Sequence, residues 1–259
     1  MKLDLQGQRV VITGGSRGIG LAIAQAFARE GAIPLLVSRS AESLQAGAAA
    51  ILAESGVQAG TLAVDLSQPA GLEQLVAAAA DADILVNNAG AVPGGAVTDI
   101  DDARLRQAWD LKLFGYIALV RALLPRMEER GRGVIANVIG SAGAAPRAEF
   151  IAGSTANAAL MAFTQAIGAV SVRKGVRVFG INPSATRSDR METMMRGQAE
   201  KKLGDANRWM ELTTQLPFGR LMEPREVAEM TVFCCSPRAA YLSGTVINLD
   251  GGQMYATAK

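Results

Sequence analysis

The chain has 259 residues, which is long enough for one or two domains at about 150 residues each. Hydrophobic residues make up 49% of the sequence and charged residues 19%, which supplies a buried core and excludes a disordered chain. The 26 basic and 24 acidic residues leave a net charge of +2, so the chain lacks the basic field of a nucleic-acid-binding protein.

Short β-branched runs alternate with longer alanine-rich runs along the chain. The short runs predict strands at residues 9–13, 33–38, 61–64, 84–87, 134–139, 176–181 and 245–249. The longer runs predict helices at residues 19–30, 41–55, 69–80, 102–129, 154–173 and 224–235. This alternation, with strands that are apolar on both faces, is typical of a parallel sheet between two layers of helices. We therefore predict a single doubly wound α/β domain over residues 1–259, with a sheet of about seven strands.

A glycine-rich turn joins the first predicted strand to the first predicted helix. Glycines there allow a tight turn and a close backbone approach to a pyrophosphate, and the helix N-terminus offers free N–H groups to it. No Gly-Lys-Ser/Thr follows, so the turn is not a P-loop. The turn predicts a Rossmann-type dinucleotide site with contacts from Gly14, Ser16, Arg17, Gly18, Ile19 and Gly20.

One segment breaks the strand–helix rhythm, a mostly helical insertion at residues 188–215. Its apolar side chains are Met191, Met194, Met195, Leu203, Trp209, Met210 and Leu212. Because methionine-rich surfaces adapt to varied ligands, we predict a mobile lid over a largely apolar small-molecule substrate. An oligomer interface or ordinary core packing is the alternative interpretation.

Rare residue types narrow the chemistry further. The absence of histidine excludes a Ser–His–Asp triad and a histidine-rich zinc site, and no EF-hand spacing or dense acidic cluster indicates another metal. The two cysteines, Cys234 and Cys235, are adjacent in an apolar run, which argues against a disulfide framework. No apolar run reaches the roughly 18 residues of a membrane span, and the first residues lack a signal peptide's apolar stretch. We expect a cytoplasmic protein that binds no metal and no membrane.

The glycine turn resembles the TGxxxGxG pattern of the short-chain dehydrogenases/reductases, and further motifs follow in that family's order along nearly the whole chain. They are an Asp-Leu pair at 65–66, the NNAG motif at 87–90, a variant of the NPG turn at 182–184, and a C-terminal signature around residues 219–226 and 244–252. The resemblance implies an oxidoreductase that forms a homo-oligomer, a tetramer or dimer. It also implies cofactor contacts from Asp65, Leu66, Asn88, Ala89, Gly90, Pro183, Ser184 and Ser188.

The end of the second strand bears on the choice of nicotinamide cofactor. An NAD-preferring site usually has a carboxylate there to accept hydrogen bonds from the ribose diol, whereas this strand ends at Ser38 and Arg39. Arg17 and Arg39 resemble the two basic positions of NADP-preferring members, where each charge-assisted bond to a 2′-phosphate contributes about 1.5–3 kcal/mol. We therefore expect NADP rather than NAD, with two ordinary solvated arginines as the alternative.

The resemblance also implies a catalytic set that this sequence lacks. Members of the family use a serine, a tyrosine acid, a lysine four residues after the tyrosine, and a helix asparagine. Alignment on the family's NxSSxAG and KAAL motifs places Gly140 at the serine, Gly153 at the tyrosine and Asn157 at the lysine. The chain's three tyrosines are remote in sequence, so we expect no tyrosine near the site; they are Tyr116, Tyr241 and Tyr255.

Lys112 stands where the family has its helix asparagine, and Asn157 stands where the family has its lysine. The two residue types are therefore exchanged between these positions. Either the proton relay is rebuilt, or two unused positions have decayed independently. In the rebuilt relay Lys112 reaches the space left by the missing tyrosine and lysine, burial lowers its pKa, and it acts on the substrate oxygen. Asn157 then holds the ribose, and Ser141 orients a carbonyl. A lysine that snorkels to solvent is the alternative.

Two hypotheses for function follow. The first is an NADP-dependent oxidoreductase with a rebuilt active site, acting on a carbonyl, an alcohol or a similar apolar small molecule, with Glu149 or a water as a further source of protons. The second is a catalytically silent protein of the same type that binds a nucleotide or ligand as a sensor or partner subunit. The two differ in turnover, because only the first consumes NADPH.

Overall fold

Seven parallel strands form one sheet in the computed structural model, which describes residues 2–255. The strands are β1 (Arg9–Thr13), β2 (Ile33–Ser38), β3 (Gly60–Ala63), β4 (Ile84–Asn87), β5 (Gly133–Val138), β6 (Val176–Pro183) and β7 (Val246–Leu249). Their order across the sheet is β3-β2-β1-β4-β5-β6-β7. The order reverses between β1 and β4, and in sheets of this kind ligands bind beyond the carboxyl ends of the strands at such a reversal.

The described range contains eight α-helices, most of which cover the two faces of the sheet. They are α1 (Gly18–Arg29), α2 (Ala41–Ser55), α3 (Pro69–Ala78), α4 (Asp102–Trp109), α5 (Gly115–Glu129), α6 (Ile151–Ser171), α7 (Asp189–Leu203) and α8 (Pro224–Cys235). The predicted doubly wound, single-domain α/β fold is confirmed.

The two-sided burial of the sheet follows from the alternation of side chains along its strands. In β1, Val10 and Ile12 pack into a core with α1, α2 and α8, while Val11 between them packs into a second core with α3 and α5. Because successive side chains of a strand point to opposite faces, an apolar run of this kind fits only a strand covered on both sides.

The predicted elements all form, with one informative difference. The sequence predicts a continuous helix over 102–129, whereas a π-helical turn, Asp110–Phe114, separates α4 from α5. Such turns are rare and occur often at functional sites. Lys112 lies in this turn.

The insertion at 188–215 folds as α7 followed by 3₁₀ turns at Ala206–Gln215. Part of its apolar surface forms a small core of its own, in which Met195 and Trp209 are buried. Two further methionines, Met194 and Met210, are exposed. Ordinary packing therefore accounts for some of the apolar pattern, and the lid stays a prediction.

The segment Ile151–Lys174 is long and apolar enough to cross a membrane by length and composition, and it is the one such helix within the described residues. It packs against β6, with Ala156 and Leu160 buried, as a core helix does. Cys234 and Cys235 are buried and free. Within residues 2–255, no group of three or more His, Cys, Asp or Glu side chains is placed to hold a metal.

Candidate cofactor and catalytic site

Close backbone contacts explain the glycines of the turn after β1. Gly14 has φ +66°, and a Cβ there would lie 2.9 Å from Asn88 Nδ2. A Cβ on Gly20 would lie 2.2 Å from the Gly14 carbonyl oxygen, which is backbone and has little room to shift. The amide of Asn88 donates to the carbonyls of Thr13 and Gly14 at 3.0 and 3.3 Å. The turn is thus pressed against the loop that follows β4, and a side chain at either glycine would separate them.

The hydroxyl of Thr13 joins the glycine turn to the loop after β4. Its Oγ1 accepts hydrogen bonds from the N–H groups of Asn88 and Ala89 at 2.9 and 3.0 Å and donates to the Val86 carbonyl at 3.4 Å. Gly90 follows at the surface. The predicted contacts Asn88, Ala89 and Gly90 therefore lie beside the glycine turn, at the reversal of the strand order. The sequence motifs predicted no separate role for Thr13. The signal for one was a hydroxyl side chain at the last position of β1, next to the glycine turn.

The N-terminus of α1 offers unpaired donors. The backbone N–H groups of Gly18, Ile19 and Gly20 have no acceptor among the described residues, and the side chain of the N-cap residue Arg17 does not cap the helix. Ser16 is half-buried beside them. Free N–H groups and the positive end of the helix dipole together suit a phosphate. This cradle fits the pyrophosphate of a dinucleotide.

The predicted cofactor contacts Ser38, Arg39, Asp65 and Leu66 lie at the carboxyl ends of β2 and β3. Asp65 Oδ1 accepts hydrogen bonds from the backbone N–H and the hydroxyl of Ser67 at 3.0 and 2.8 Å. These bonds, with a smaller contribution from the charge of Arg39, hold the pKa of the Asp65 carboxyl below its usual range. Leu66 is buried, Ser38 is half-buried and Arg39 is exposed. Arg39 is therefore close enough to Asp65 to share one site.

The residues predicted at the nicotinamide end lie beyond β6. Pro183 is buried at the end of the strand. The hydroxyl of Ser184 donates to Gln253 Oε1 at 3.0 Å, so this side chain is directed to the C-terminal segment. Ser188 is the N-cap of α7, and its Oγ accepts from the Met191 N–H at 3.2 Å.

Gly140 and Asn157, at the positions expected for the serine and the lysine, are in direct contact. Asn157 is buried, and its Nδ2 donates to the Gly140 carbonyl at 3.4 Å. Gly140 has φ +132°, a conformation that side chains rarely adopt, and a Cβ there would lie 2.9 Å from Asn157 Nδ2. Ser141 is half-buried at the start of a 3₁₀ turn, and its hydroxyl has no hydrogen-bond partner within residues 2–255.

The ring of Phe150 fills the space that a side chain at Gly153 would occupy. A Cβ on Gly153 would lie 1.9 and 2.1 Å from two ring carbons of Phe150. The sequence predicts a vacant space here, into which Lys112 reaches. That expectation is wrong, because an aromatic ring from the start of α6 has taken the place.

Lys112 instead binds the end of β5. Its Nζ donates to the carbonyls of Val138 and Ile139 at 2.8 and 3.1 Å and to Tyr116 Oη at 3.2 Å. The residue is 7% exposed, so the snorkelling alternative is wrong. Burial, and secondarily the charge of Arg190, lower the pKa of Lys112 to about 7. The expected direction of the shift is confirmed.

The proximity of Tyr116 corrects the expectation that no tyrosine lies near the site. Tyr116 is four residues after Lys112, on the same helical face across the π turn, and its ring centroid is 4.8 Å from Lys112 Nζ. It is 1% exposed, and its hydroxyl donates to the Val138 carbonyl at 3.1 Å. Burial raises the pKa of this phenol. Tyr116 therefore holds Lys112 in place.

Two other polar groups near the start of α6, Ser154 and Glu149, have different surroundings. The Ser154 hydroxyl is buried, accepts from the Arg147 N–H at 3.0 Å and donates to the Arg147 carbonyl at 3.3 Å, so it fixes the turn before α6. Glu149 is exposed, and its backbone carbonyl accepts from the Gly95 N–H at 2.8 Å.

Sequence reasoning missed Arg190, in the first turn of α7. Its guanidinium crosses to the loop after β4 and donates to the Val92 carbonyl. Although much of the residue is exposed, burial of the guanidinium lowers the pKa of Arg190. The charge of Arg190 contributes to the lowered pKa of Lys112, and both residues contact the loop after β4. Nothing local in the sequence separates Arg190 from the other arginines of the insertion.

The fold, the glycine turn and its free N–H groups define a dinucleotide-binding protein of the Rossmann type. Comparison with known families identifies it further: residues 8–199 match the family described as short chain dehydrogenase. The chain therefore belongs to the short-chain dehydrogenase family of oxidoreductases, whose characterised members act on small molecules.

Individual relatives give the breadth of the family around this chain. It is 34% identical over 253 residues to 2-keto-3-deoxy-L-fuconate dehydrogenase of Xanthomonas campestris, and the alignment covers 96% of this chain and 80% of that protein. L-sorbose reductase of Gluconobacter frateurii, solved with NADPH and L-sorbose, superposes with a TM-score of 0.92 at 31% identity, over 99% of this chain and 100% of the other. A 7α-hydroxysteroid dehydrogenase complexed with NADH superposes with a TM-score of 0.85 at 29% identity, over 97% and 96%. These relatives support a nicotinamide cofactor and include users of both forms.

Proposed function

We propose that this protein is an NADP-dependent oxidoreductase with a rebuilt proton relay, acting on a small carbonyl compound or the corresponding alcohol. NADP, when bound, supplies or accepts the hydride. The observation that carries the proposal is the environment of Lys112. Its amine is buried, its pKa is lowered to about 7, and it lies at the end of β5 beside the loop that follows β4. A group with its pKa near the working pH is suited to both giving and taking a proton.

The choice of NADP rests on two exposed arginines and on a missing acid. Arg17 in the glycine turn and Arg39 after β2 are exposed and suited to bind a 2′-phosphate, with Arg17 exchanging its weak contact to Asp189 at 4.0 Å for the phosphate, and Ser38 stands where an NAD site has a carboxylate. The N–H groups of Gly18, Ile19 and Gly20 would hold the pyrophosphate. The remaining contacts that would hold the cofactor come from Gly14, Ser16, Asp65, Leu66, Asn88, Ala89, Gly90, Asn157, Pro183, Ser184 and Ser188.

We propose that the family's serine, tyrosine and lysine are absent from this site. Gly140 stands at the serine position with a backbone conformation that disfavours a side chain, and the ring of Phe150 occupies the place of a side chain at Gly153. The side chains of Asn157 and Phe150 fit closely against these glycines. This fit supports a remodelled site rather than the recent loss of catalytic side chains from an otherwise unchanged one.

Lys112 takes the role of the acid in this mechanism. Near pH 7 its ammonium and amine forms are both populated, so Nζ gives a proton to the substrate oxygen in reduction and takes it back in oxidation. Tyr116 and the carbonyls of Val138 and Ile139 fix the position of Nζ. Asn157 holds the nicotinamide ribose, and the free hydroxyl of Ser141 orients the substrate carbonyl.

The insertion at 188–215 acts as a lid, because its first two charged residues contact the glycine turn and the loop after β4. Asp189 Oδ2 lies 4.0 Å from Arg17 Nη1, and Arg190 binds the Val92 carbonyl. Exposed Met194 and Met210 are available for contact with an apolar part of the substrate. The protein assembles as a tetramer or dimer, as the family resemblance implies; a gel-filtration mass near 27.0 kDa, that of one chain, would contradict this.

One observation favours a catalytically silent nucleotide-binding protein as the second candidate. All three protons of the Lys112 ammonium already have acceptors within the protein, so the lysine must release one of them to act on a substrate. In a sensor or partner subunit the same bonds would serve only to join the π turn to β5.

Turnover separates the two candidates. NADPH oxidation is measured against a panel of ketoses, keto acids and cyclic ketones, and the active compound is used to compare Lys112→Met with the parent protein. We expect a fall in kcat of about a hundredfold or more, with NADPH affinity nearly unchanged, because only proton transfer is removed. The control is Lys174→Met, a surface lysine paired with Glu128 at 2.8 Å. Turnover that survives in Lys112→Met would refute the role of the lysine, and no oxidation with any compound would favour the silent protein.

A further inference from the structure

Two cations from different parts of the chain meet the loop that follows β4. The Lys112 side chain passes beside Gly90, where a Cβ would lie 2.8 Å from Lys112 Cδ and 3.6 Å from Nζ. The Arg190 guanidinium binds the carbonyl of Val92, two residues further along this loop. Lys112 comes from the body of the domain and Arg190 from the insertion, so positive charges from two parts of the chain contact the same loop.

Neither charge is neutralised within residues 2–255. The ion pairs of the described residues include neither Lys112 nor Arg190. Asp189, the acid next to Arg190, faces Arg17 instead, and the exposed Glu149 forms no ion pair with either cation. Two partly desolvated like charges raise each other's free energy, and an anion between them would remove that cost.

We propose that the substrate carries an anionic group, a carboxylate or a phosphate, and that Arg190 is the residue that recognises it. This inference rests on the proposed function, whose substrate it specifies. A guanidinium carries five N–H donors in a fork that matches a carboxylate or phosphate. Only the bond to Val92 is formed within the described residues, so the other donors of Arg190 remain available.

The two cations have different parts in this recognition. The Lys112 protons are held by Tyr116, Val138 and Ile139, so its charge acts on the anion through space. Arg190 makes the direct contact. Val92 and Phe150 pack together in an apolar cluster beside it, which suits the carbon chain that links the anion to the reacting carbonyl. The apolar substrate expected from the insertion is thereby narrowed to one with a charged end.

Unreactive probes test the inference without a known substrate. Oxamate, its neutral isostere oxamide, and methyl phosphate are titrated by calorimetry into the protein saturated with NADPH. We expect oxamate or methyl phosphate to bind at least about tenfold more tightly than oxamide, because only the anions gain charge-assisted bonds. The stronger of the two identifies the anion as carboxylate or phosphate.

Variants then assign the effect to one side chain. Arg190→Met should lower affinity for the preferred anion by about tenfold or more while NADPH affinity is kept, and Arg190→Lys should restore part of the loss. The control Arg187→Met removes an exposed arginine three residues earlier, paired with Glu223 at 2.9 Å, and should bind like the parent.

Three results would overturn the inference. Equal binding of the anions and oxamide, with NADPH bound, would refute it alone and leave the oxidoreductase proposal standing. A matching loss of NADPH affinity in Arg190→Met would assign the arginine to the cofactor. Failure of the parent protein to bind NADPH would refute the proposed function, and this inference with it.

Discussion

Replacement of Lys112 by methionine tests whether this lysine is buried without a counter-charge. Methionine keeps the apolar stem and removes the amine. The free energy of unfolding of the variant and of the parent is compared as a function of pH, because only the parent has a titrating group at this position.

The magnitude follows from the pKa. Burial first, and the charge of Arg190 second, lower the pKa of Lys112 from 10.5 to about 7 in the folded protein. The unfolded chain therefore binds nearly one more proton than the folded one between these values, and the parent's free energy of unfolding rises with pH across this window. Each unit is worth about 1.4 kcal/mol, so the full window of about 3.5 units contributes about 5 kcal/mol. Below pH 7 Lys112 is protonated in both the folded and the unfolded state. The free-energy cost of burying its charge is then fully present and no longer changes with pH.

The variant lacks this pH dependence but has a constant cost of another kind. Methionine removes the side-chain donor to the Ile139 carbonyl, which costs about 1–3 kcal/mol if that group is left unpaired, whereas the Tyr116 hydroxyl and the Val138 carbonyl still bond to each other. This offset does not depend on pH. The slope of the difference in stability against pH is therefore the diagnostic quantity, and its value at one pH is not.

Urea denaturation from about pH 7 to pH 10 measures that slope. We expect the parent to gain stability relative to Lys112→Met as pH rises. Lys174→Met is the matched control, since Lys174 has a side chain that is 65% exposed and should give a nearly flat difference. A flat difference for Lys112→Met would show that the lysine titrates as in water, and the argument for a lysine acid would fail.

Two further predictions concern the remodelled site and the cofactor. Gly153→Ala should lose about 1–3 kcal/mol of stability by overpacking against Phe150, whereas Gly197→Ala, whose Cβ meets nothing within 4 Å in α7, should gain about 1 kcal/mol from helix propensity. Equal stabilities in thermal denaturation would show that the ring moves aside freely. Arg39→Ala should weaken NADPH binding by about tenfold or more and leave NADH unchanged, as followed by nicotinamide fluorescence, because only NADPH carries the 2′-phosphate. Equal losses for both cofactors would assign Arg39 a structural role.

The amino-acid sequence by itself determined the α/β fold and the place of the nucleotide loop. Strand and helix follow from apolar periods of two and about 3.6 residues, which are local properties of the chain. The glycine turn could be predicted for the same reason. Gly14 and Gly20 are required by the backbone geometry of a few neighbouring residues and by one adjacent loop. Motif order then placed Gly140, Gly153 and Asn157 together, and the contact between Gly140 and Asn157 agrees with that alignment.

Only the tertiary structure decided what surrounds those positions. Phe150 fills the space above Gly153, Tyr116 supports Lys112 across a π turn, and Arg190 reaches the Val92 carbonyl from 98 residues away. Two of these contacts join residues three and four apart, but helical spacing alone does not predict which rotamer each side chain adopts, and the contact of Arg190 with Val92 has no local signal at all. Each depends on a rotamer chosen by packing, and on which buried carbonyl or ring is within reach once the sheet and helices are assembled. The chemistry of the site is set by these contacts, because they decide where an amine is desolvated and which charges remain unpaired.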